Sequence, residues 1–205
     1  MKLNLAVENL IKKLEEKKFK VKYFEKKEEA IESVLAETVD DHVVGIGGSM
    51  TIKELELHEI LKGQGKEIYW HWLVEPQERN AIRQKANNAD VYLSSTNALT
   101  EAGELVNIDG LGNRVSGMFY GPKKVIVICG INKITSDYNT AIERIKKSAC
   151  PSNARRLGLK TPCAATGECN DCLSPDRMCN ITTIISHKPM AIDFHIYLIG
   201  ENLGY

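Results

Sequence analysis

Between Pro162 and Cys179 the chain reads PCAATGECNDCLSPDRMC, which places four of its six cysteines in a stretch too short and polar to be a core element. Cys163, Cys169, Cys172 and Cys179 follow the spacing C-x5-C-x2-C-x6-C, and Pro162, Gly167 and Pro175 supply turns that let a short loop curl its sulfurs inward. Thiolates are soft ligands that favour zinc, copper(I) or iron-sulfur clusters, and a C-x2-C core occurs in both zinc and cluster sites. The spacing is neither the bacterial ferredoxin run nor a pair of distant zinc knuckles, so the donor set points to a metal without choosing between a cluster and zinc. The competing readings are two disulfides or four free thiols. Nothing marks the chain as secreted, and cytosolic thiols stay reduced, which argues against the disulfides. Cys129 ends the apolar run VIVIC and reads as core, whereas Cys150, just before Pro151, reads as a spare ligand or an inert thiol.

A second stretch with chemical potential is HVVGIGGSMT, residues 42–51, where an apolar strand runs into glycines and hydroxyls before a helix. Gly45, Gly47, Gly48, Ser49 and Thr51 form a turn in which backbone amides can approach an anion closely. The same residues can simply close a tight turn, with Thr51 and Glu54 forming a T-x-x-E capping box. The pattern is neither a Walker loop nor a dinucleotide fingerprint. Downstream, STNALTEAGELVNIDGLGNR reads as two short strands turning at Glu101-Ala102-Gly103 and then a polar loop. There Asn97, Glu101, Asn113 and Arg114 are candidates for lining a crevice, with Glu101 able to move a proton. Lys133 follows the strand GPKKVIVICG at its carboxyl end, where it can face a bound anion. The five histidines are scattered, and none is spaced as a metal partner or as the base of a cysteine nucleophile, which leaves a cysteine hydrolase without its base.

These groups need a scaffold. Val7, Leu10, Ile11 and Leu14 stripe a first helix, KVKYF alternates as a strand, and Ala30, Ile31, Val34 and Leu35 mark a second helix. Strands are then predicted at KEIYWHW, DVYLSS, GPKKVIVICG, ITTIIS and HIYLIG, with helices over residues 75–88 and from Asp137 to a stop or kink at Pro151. Strands alternating with helices imply an α/β fold with a largely parallel open sheet covered on both faces, and ligands of such sheets bind beyond the strands' carboxyl ends. The expectation is one domain over residues 1–205, with an N-terminal helical segment to about residue 40 and the cysteine-rich loop, 162–180, inserted before the last strands.

Lysine plus arginine and aspartate plus glutamate are equal at 27, so there is no basic excess to favour nucleic acid or an anionic membrane. No apolar run has the length of a signal peptide or a membrane span, and the expected location is the cytoplasm.

Taken together, GIGGSMT, STNALTEAGELVNIDGLGNRV, FYGPKKVIVICGINKI and PCAATGECNDCLSPDRMCN resemble the LUD domain family, named for lactate utilisation, from about residue 42 to Tyr205. The resemblance implies a fold related to glucosamine-phosphate deaminases, ribose-phosphate isomerases, CoA-transferases and formyltetrahydrofolate cyclo-ligases. It also implies an anionic ligand beside Gly45 through Thr51 and, more loosely, a carboxylate role for Glu101. Family members with known roles are similar to subunits that oxidise L-lactate to pyruvate, one of which carries ferredoxin-like cluster motifs. This chain has a C-terminal cysteine loop in place of that extension.

Two functions follow. In the first, the resemblance favours an iron-sulfur cluster on the four loop cysteines of an oxidoreductase component, working on a small anionic metabolite such as a 2-hydroxy acid, with other redox subunits as partners. In the second, the chain is a non-redox binding or regulatory protein for a nucleotide, CoA or folate-like ligand, with structural zinc. Both leave homo-oligomerisation open.

Overall fold

Residues 5–205 are described by the computed structural model, and residues 1–4 of the N-terminal stretch lie outside them. Helix α1 (Leu5–Glu16), strand β1 (Lys20–Phe24), helix α2 (Lys27–Glu37) and strand β2 (Val43–Ile46) open the chain. They are followed by α3 (Met50–Glu54), α4 (Leu57–Gly63), β3 (Glu67–Trp70), α5 (Arg79–Ala86) and β4 (Val91–Ser94). A hairpin of β5 (Ala98–Thr100) and β6 (Leu105–Asp109) leads to α6 (Asn113–Phe119), β7 (Lys124–Gly130), a 3-10 turn at Ile131–Lys133 and β8 (Ile134–Thr135). The C-terminal part holds α7 (Tyr138–Arg144), α8 (Cys150–Arg156), α9 (Pro162–Thr166), β9 (Ile181–Ile185) and β10 (Asp193–Ile199).

Six strands form an open, wholly parallel sheet in the order β1-β10-β7-β4-β2-β3. Its central strands are buried on both faces, as the unbroken apolar runs predict. In β7, Val125, Val127 and Cys129 pack with Leu10 and Leu14 of α1 and Met118 of α6, while Ile126 and Ile128 point to the other side, among Val34 of α2, Ile52 of α3 and Leu61 of α4. The fold class is therefore as the sequence indicates.

Several local features differ from the sequence reading. ITTIIS does not join the main sheet: β9 is part of a second, mixed sheet of order β8-β5-β6-β9 that packs over one face. Asn113 and Arg114, expected at the end of a polar loop, instead open a helix over Asn113–Phe119, because Gly112 takes a left-handed conformation (φ 85°) and turns the chain into it. Ser49, rather than Thr51, caps α3, its hydroxyl accepting from the Ile52 amide at 3.3 Å. Glu54 instead accepts from the Gly204 amide at 2.7 Å. Pro151 neither stops nor kinks off its helix. A π-helical turn at Ile145–Ala149 joins α7 to α8, and Pro151 falls in the first turn of α8, where the wider register tolerates its missing N–H.

Candidate functional site

The carboxyl ends of β2, β3, β4 and β7 deliver Gly48 and Ser49, His71 and Trp72, Ser95 and Thr96, and Lys133 to one cleft of about 260 Å³. Asp109 closes it from the end of β6, and Asn153 and Arg156 close it from α8.

Lys133 is the chemical centre of the cleft. Its ammonium is buried at the cleft wall and donates to Thr51 Oγ1 at 2.8 Å and Ser95 Oγ at 2.9 Å. Burial pushes its pKa down to about 8, with no carboxylate among the described residues paired to it to compensate for lost hydration. His71 is neutral at pH 7: burial, then the neighbouring Arg83, Arg79 and Arg156, hold it near 4. Arg156 lies over the Trp72 ring at 4.3 Å, and Trp72 stacks on Trp70. The cleft is thus a cationic, partly aromatic pocket suited to a small anion.

Arg114 lines the same cleft, but its guanidinium is spent on the protein. Its Nη1 donates to Ser95 O and Asn107 Oδ1, its Nη2 to Asn97 Oδ1 and Ile108 O, and its Nε pairs with Asp109 at 3.3 Å. All five donors are engaged. Arg114 therefore fixes the positions of Asn97, Asp109 and the β4–β5 connection instead of reaching for a ligand. Arg114→Lys cannot reproduce this fork and is expected to lower stability by about 3 kcal/mol, measurable by urea denaturation. Asn97 also accepts from the Ile108 amide, and among the described residues its amide NH2 and the Asn113 side chain have no hydrogen-bond partner at the cleft.

Of the glycine turn, Gly48 and Ser49 reach the cleft. Gly45 and Gly47 serve packing: a Cβ on Gly45 would lie 2.1 Å from Ala86 O, and one on Gly47 would lie 2.9 Å from both Arg114 Cγ and Tyr92 Oη. Thr51 is buried behind Lys133 and holds it from the protein side. Glu101 is not a cleft residue. It is exposed at the β5–β6 hairpin tip, where the adjoining Gly103 packs on Leu14 and Lys17 of α1. Glu101→Gln is expected to change stability by less than about 0.5 kcal/mol and to leave anion affinity unaltered, as calorimetry would show.

The loop cysteines share a second cavity. Cys163, Cys169, Cys172 and Cys179 line a space of about 210 Å³ together with Cys150 of α8. Arg177 ties the loop: its Nη1 donates to Cys172 O at 2.6 Å, its Nε to Cys179 O at 3.1 Å, and its Nη2 to Asp171 at 2.7 Å. Arg177 and Lys146 are in the cavity wall, so cationic groups face a site rich in cysteine sulfurs. Cys150 Sγ and Cys179 Sγ are hydrogen-bonded at 3.4 Å. That bond and Arg177 draw the Cys179 thiol down to about 7, while Cys150, beside the other sulfurs and buried, is pushed up.

The two spaces are neighbours. Ile108, Cys150, Met178 and Cys179 line both. The antiparallel pairing of β6 with β9 brings this about, since it sets Asn180, next to Cys179, against Asp109 at the cleft rim, N–H to O at 3.0 Å.

A zinc ion with four sulfurs at about 2.3 Å requires them to stand about 3.8 Å apart. Among the described residues, the group of three or more ligand atoms within 4.8 Å of one another is Glu37, Asp193 and His195, with no cysteine in it. No three of the thiols stand that close among the described residues, so they are not gathered around one ion, and four soft donors with Arg177 and Lys146 nearby are a donor set open to either zinc or an iron-sulfur cluster. Glu37 and Asp193 are already paired with Lys22 at 3.1 Å and Lys20 at 2.7 Å, so an ion there would have to displace ammonium groups.

Sequence spacing gives no role to His71 or Arg156 and leaves Asp109 and Cys150 open; they reach the two spaces from three elements, after β3, at the end of β6 and on α8. A thiol just before Pro151, near the cysteine loop, is the sequence's hint of Cys150.

The family profile of the LUD domain matches residues 7–199. The fold is similar to that of a DUF162 family protein from Deinococcus radiodurans, with a TM-score of 0.51 and 12% identity over 95% of this chain and 96% of that one. No curated protein matches the chain at a significant level. No helix of the described residues is long and apolar enough to cross a membrane.

Proposed function

The chain belongs to the LUD domain family, and from that premise we propose that it is an oxidoreductase component that binds a small organic acid, such as a 2-hydroxy acid, beside an iron-sulfur cluster. The supporting observation is the common wall of the cationic cleft and the thiol cavity, formed by Ile108, Cys150, Met178 and Cys179. A binding protein with a purely structural metal has no need for that adjacency.

In this reading Lys133 and Arg156 hold the carboxylate by charge-assisted hydrogen bonds, and the free amides of Asn97 and Asn113 orient the remaining oxygens. His71, kept neutral by burial and then by its arginine neighbours, offers an imidazole nitrogen to a substrate hydroxyl. Trp72 and Met178 exclude water from the apolar part of the cleft. Cys163, Cys169, Cys172 and Cys179 would hold the cluster, which when bound supplies one-electron transfer. Oxidation of a hydroxyl to a carbonyl releases two electrons, so a further carrier on a partner subunit belongs to the scheme.

The test is purification without oxygen followed by iron, acid-labile sulfide and zinc analysis of wild type and Cys172→Ser. The expected result is a brown protein with comparable iron and sulfide, both lost in the variant. Colourless protein holding zinc would overturn the redox reading in favour of a nucleotide, CoA or folate-like binding protein.

A further inference from the structure

Five charged side chains line the cleft. Arg114 and Asp109 pair with each other, which leaves Lys133, Arg83 and Arg156 without a carboxylate partner among the described residues. One bound carboxylate answers one of those three charges. Resting on the organic-acid reading above, we propose that the substrate carries a second anionic group, a phosphate monoester, which Arg83 receives beside His71 and Trp72, with Arg156 shared by the two groups.

The topology sets the two positions apart. Lys133 follows β7 and His71 follows β3, and in the sheet β4 and β2 lie between those strands. Three strand spacings put the two ends roughly 14 Å apart, more than a single carboxylate spans. At the β3 end, α5 packs against the strand and brings Arg79 and Arg83, four residues apart on one helix face. Like charges at that spacing repel. Among the described residues no carboxylate pairs with either, and the Arg83 Nε is buried with no hydrogen-bond partner. Arg156 comes from α8 on the other side, lies over the Trp72 ring at 4.3 Å, and donates from Nε and Nη2 to Asn153 Oδ1 at 3.2 and 2.7 Å, a neutral acceptor that leaves its charge uncancelled.

The chemistry at this end favours phosphate over a second carboxylate. Guanidinium groups are planar forks that match phosphate oxygens, and they stay charged when partly buried. A phosphate monoester carries about −1.5 to −2 at neutral pH, so with one carboxylate it balances the three cations. A dicarboxylate would leave one of them unanswered. His71, neutral through burial and then through Arg83, Arg79 and Arg156, adds a hydrogen-bonding nitrogen there without a further charge.

The experiment is calorimetric titration of the full chain, at neutral pH and fixed ionic strength, with glycerate, 3-phosphoglycerate and malate, using wild type, Arg83→Gln and Lys133→Met. Glycerate and 3-phosphoglycerate of the same configuration differ only in the phosphate. Wild type is expected to bind the phosphorylated acid about 10- to 100-fold more tightly than glycerate, and in Arg83→Gln that ratio is expected to fall toward one. Because Arg83→Gln removes a charge that no acid partners and relieves its repulsion with Arg79, urea denaturation should show stability equal to or slightly above wild type. Equal affinities in wild type, or a ratio that survives in Arg83→Gln, overturn the proposal. So does malate binding as tightly as 3-phosphoglycerate, or a clear loss of stability in Arg83→Gln, which would make Arg83 a residue of the fold. Failure of the organic-acid reading looks different: glycerate affinity would be indifferent to Lys133→Met while the phosphate preference and its dependence on Arg83 persisted. Absence of binding by all three acids sinks both.

Discussion

Lys133→Met is expected to weaken anion binding by the cleft about 10- to 100-fold while leaving the ligand-free protein more stable than wild type. The two effects share one cause. The ammonium is buried at the cleft wall with only the Thr51 and Ser95 hydroxyls as partners, and its pKa is pushed down from 10.5 to about 8. A shift of that size corresponds to about 3 kcal/mol of unfavourable ammonium burial. Methionine is nearly as long and carries no charge. Thr51 and Ser95 keep backbone acceptors at Leu203 O and Thr96 O, so neither hydroxyl is orphaned. After subtraction of the lost hydrogen bonds, a net gain of about 1–2 kcal/mol remains. Loss of a charge-assisted contact to a carboxylate, about 1.5–3 kcal/mol, weakens binding by about 10- to 100-fold.

The pH dependence has a definite sign. The unfolded lysine holds its proton up to about pH 10.5 and the folded one only to about 8, so between those values the unfolded chain binds more protons. Wild-type stability therefore gains from this group as pH rises from about 8 to about 10.5, and the gain disappears in Lys133→Met. Anion affinity runs the other way and falls as pH rises through 8. Denaturant melts and calorimetry across that range check both.

Gly45→Ala is expected to cost at least about 3 kcal/mol, near the upper end of what overpacking causes. The added Cβ would lie 2.1 Å from the Ala86 carbonyl oxygen and 2.8 Å from its carbon. Those atoms are backbone at the end of α5, so no side chain can rotate away, and β2 must separate from the helix. Gly48→Ala is the informative contrast. Its Cβ would meet His71 and Trp72 at 3.5–3.7 Å, ordinary contact distances, so the protein should fold normally while the ligand loses space. If Gly45→Ala instead folds with wild-type stability and loses only ligand, Gly45 is a binding residue after all.

The contrast shows where sequence reasoning stops. A glycine-rich turn after an apolar strand is legible as a turn, and the parallel sheet is legible from runs such as VIVIC. Which glycine faces a ligand depends on what packs behind it, and α5 is 40 residues away in the chain. Lys133 was identifiable because it directly follows a central strand. Glu101 and Arg114 show the opposite outcome. Their residue types suit catalysis, but Glu101 is exposed at the hairpin tip, away from the cleft, and Asn97, Asn107 and Asp109 consume Arg114. His71, Arg156 and Cys150 could not be assigned from spacing, since two distant elements, β3 and α8, bring them to the cleft. The cysteine loop was visible as a ligand set, whereas its wall in common with the cleft arises from the β6–β9 pairing across two distant segments.

The central claim is that the cleft and the thiol cavity act as one site. The direct measurement is the midpoint potential of anaerobically prepared protein with and without a saturating 2-oxo acid, which binds as an anion but has no hydroxyl to oxidise. A carboxylate held by Lys133 beside Cys179 adds negative charge next to the cluster, so the potential should move to a more negative value. It should not move in Lys133→Met. A wild-type potential that is indifferent to the bound acid would contradict the account.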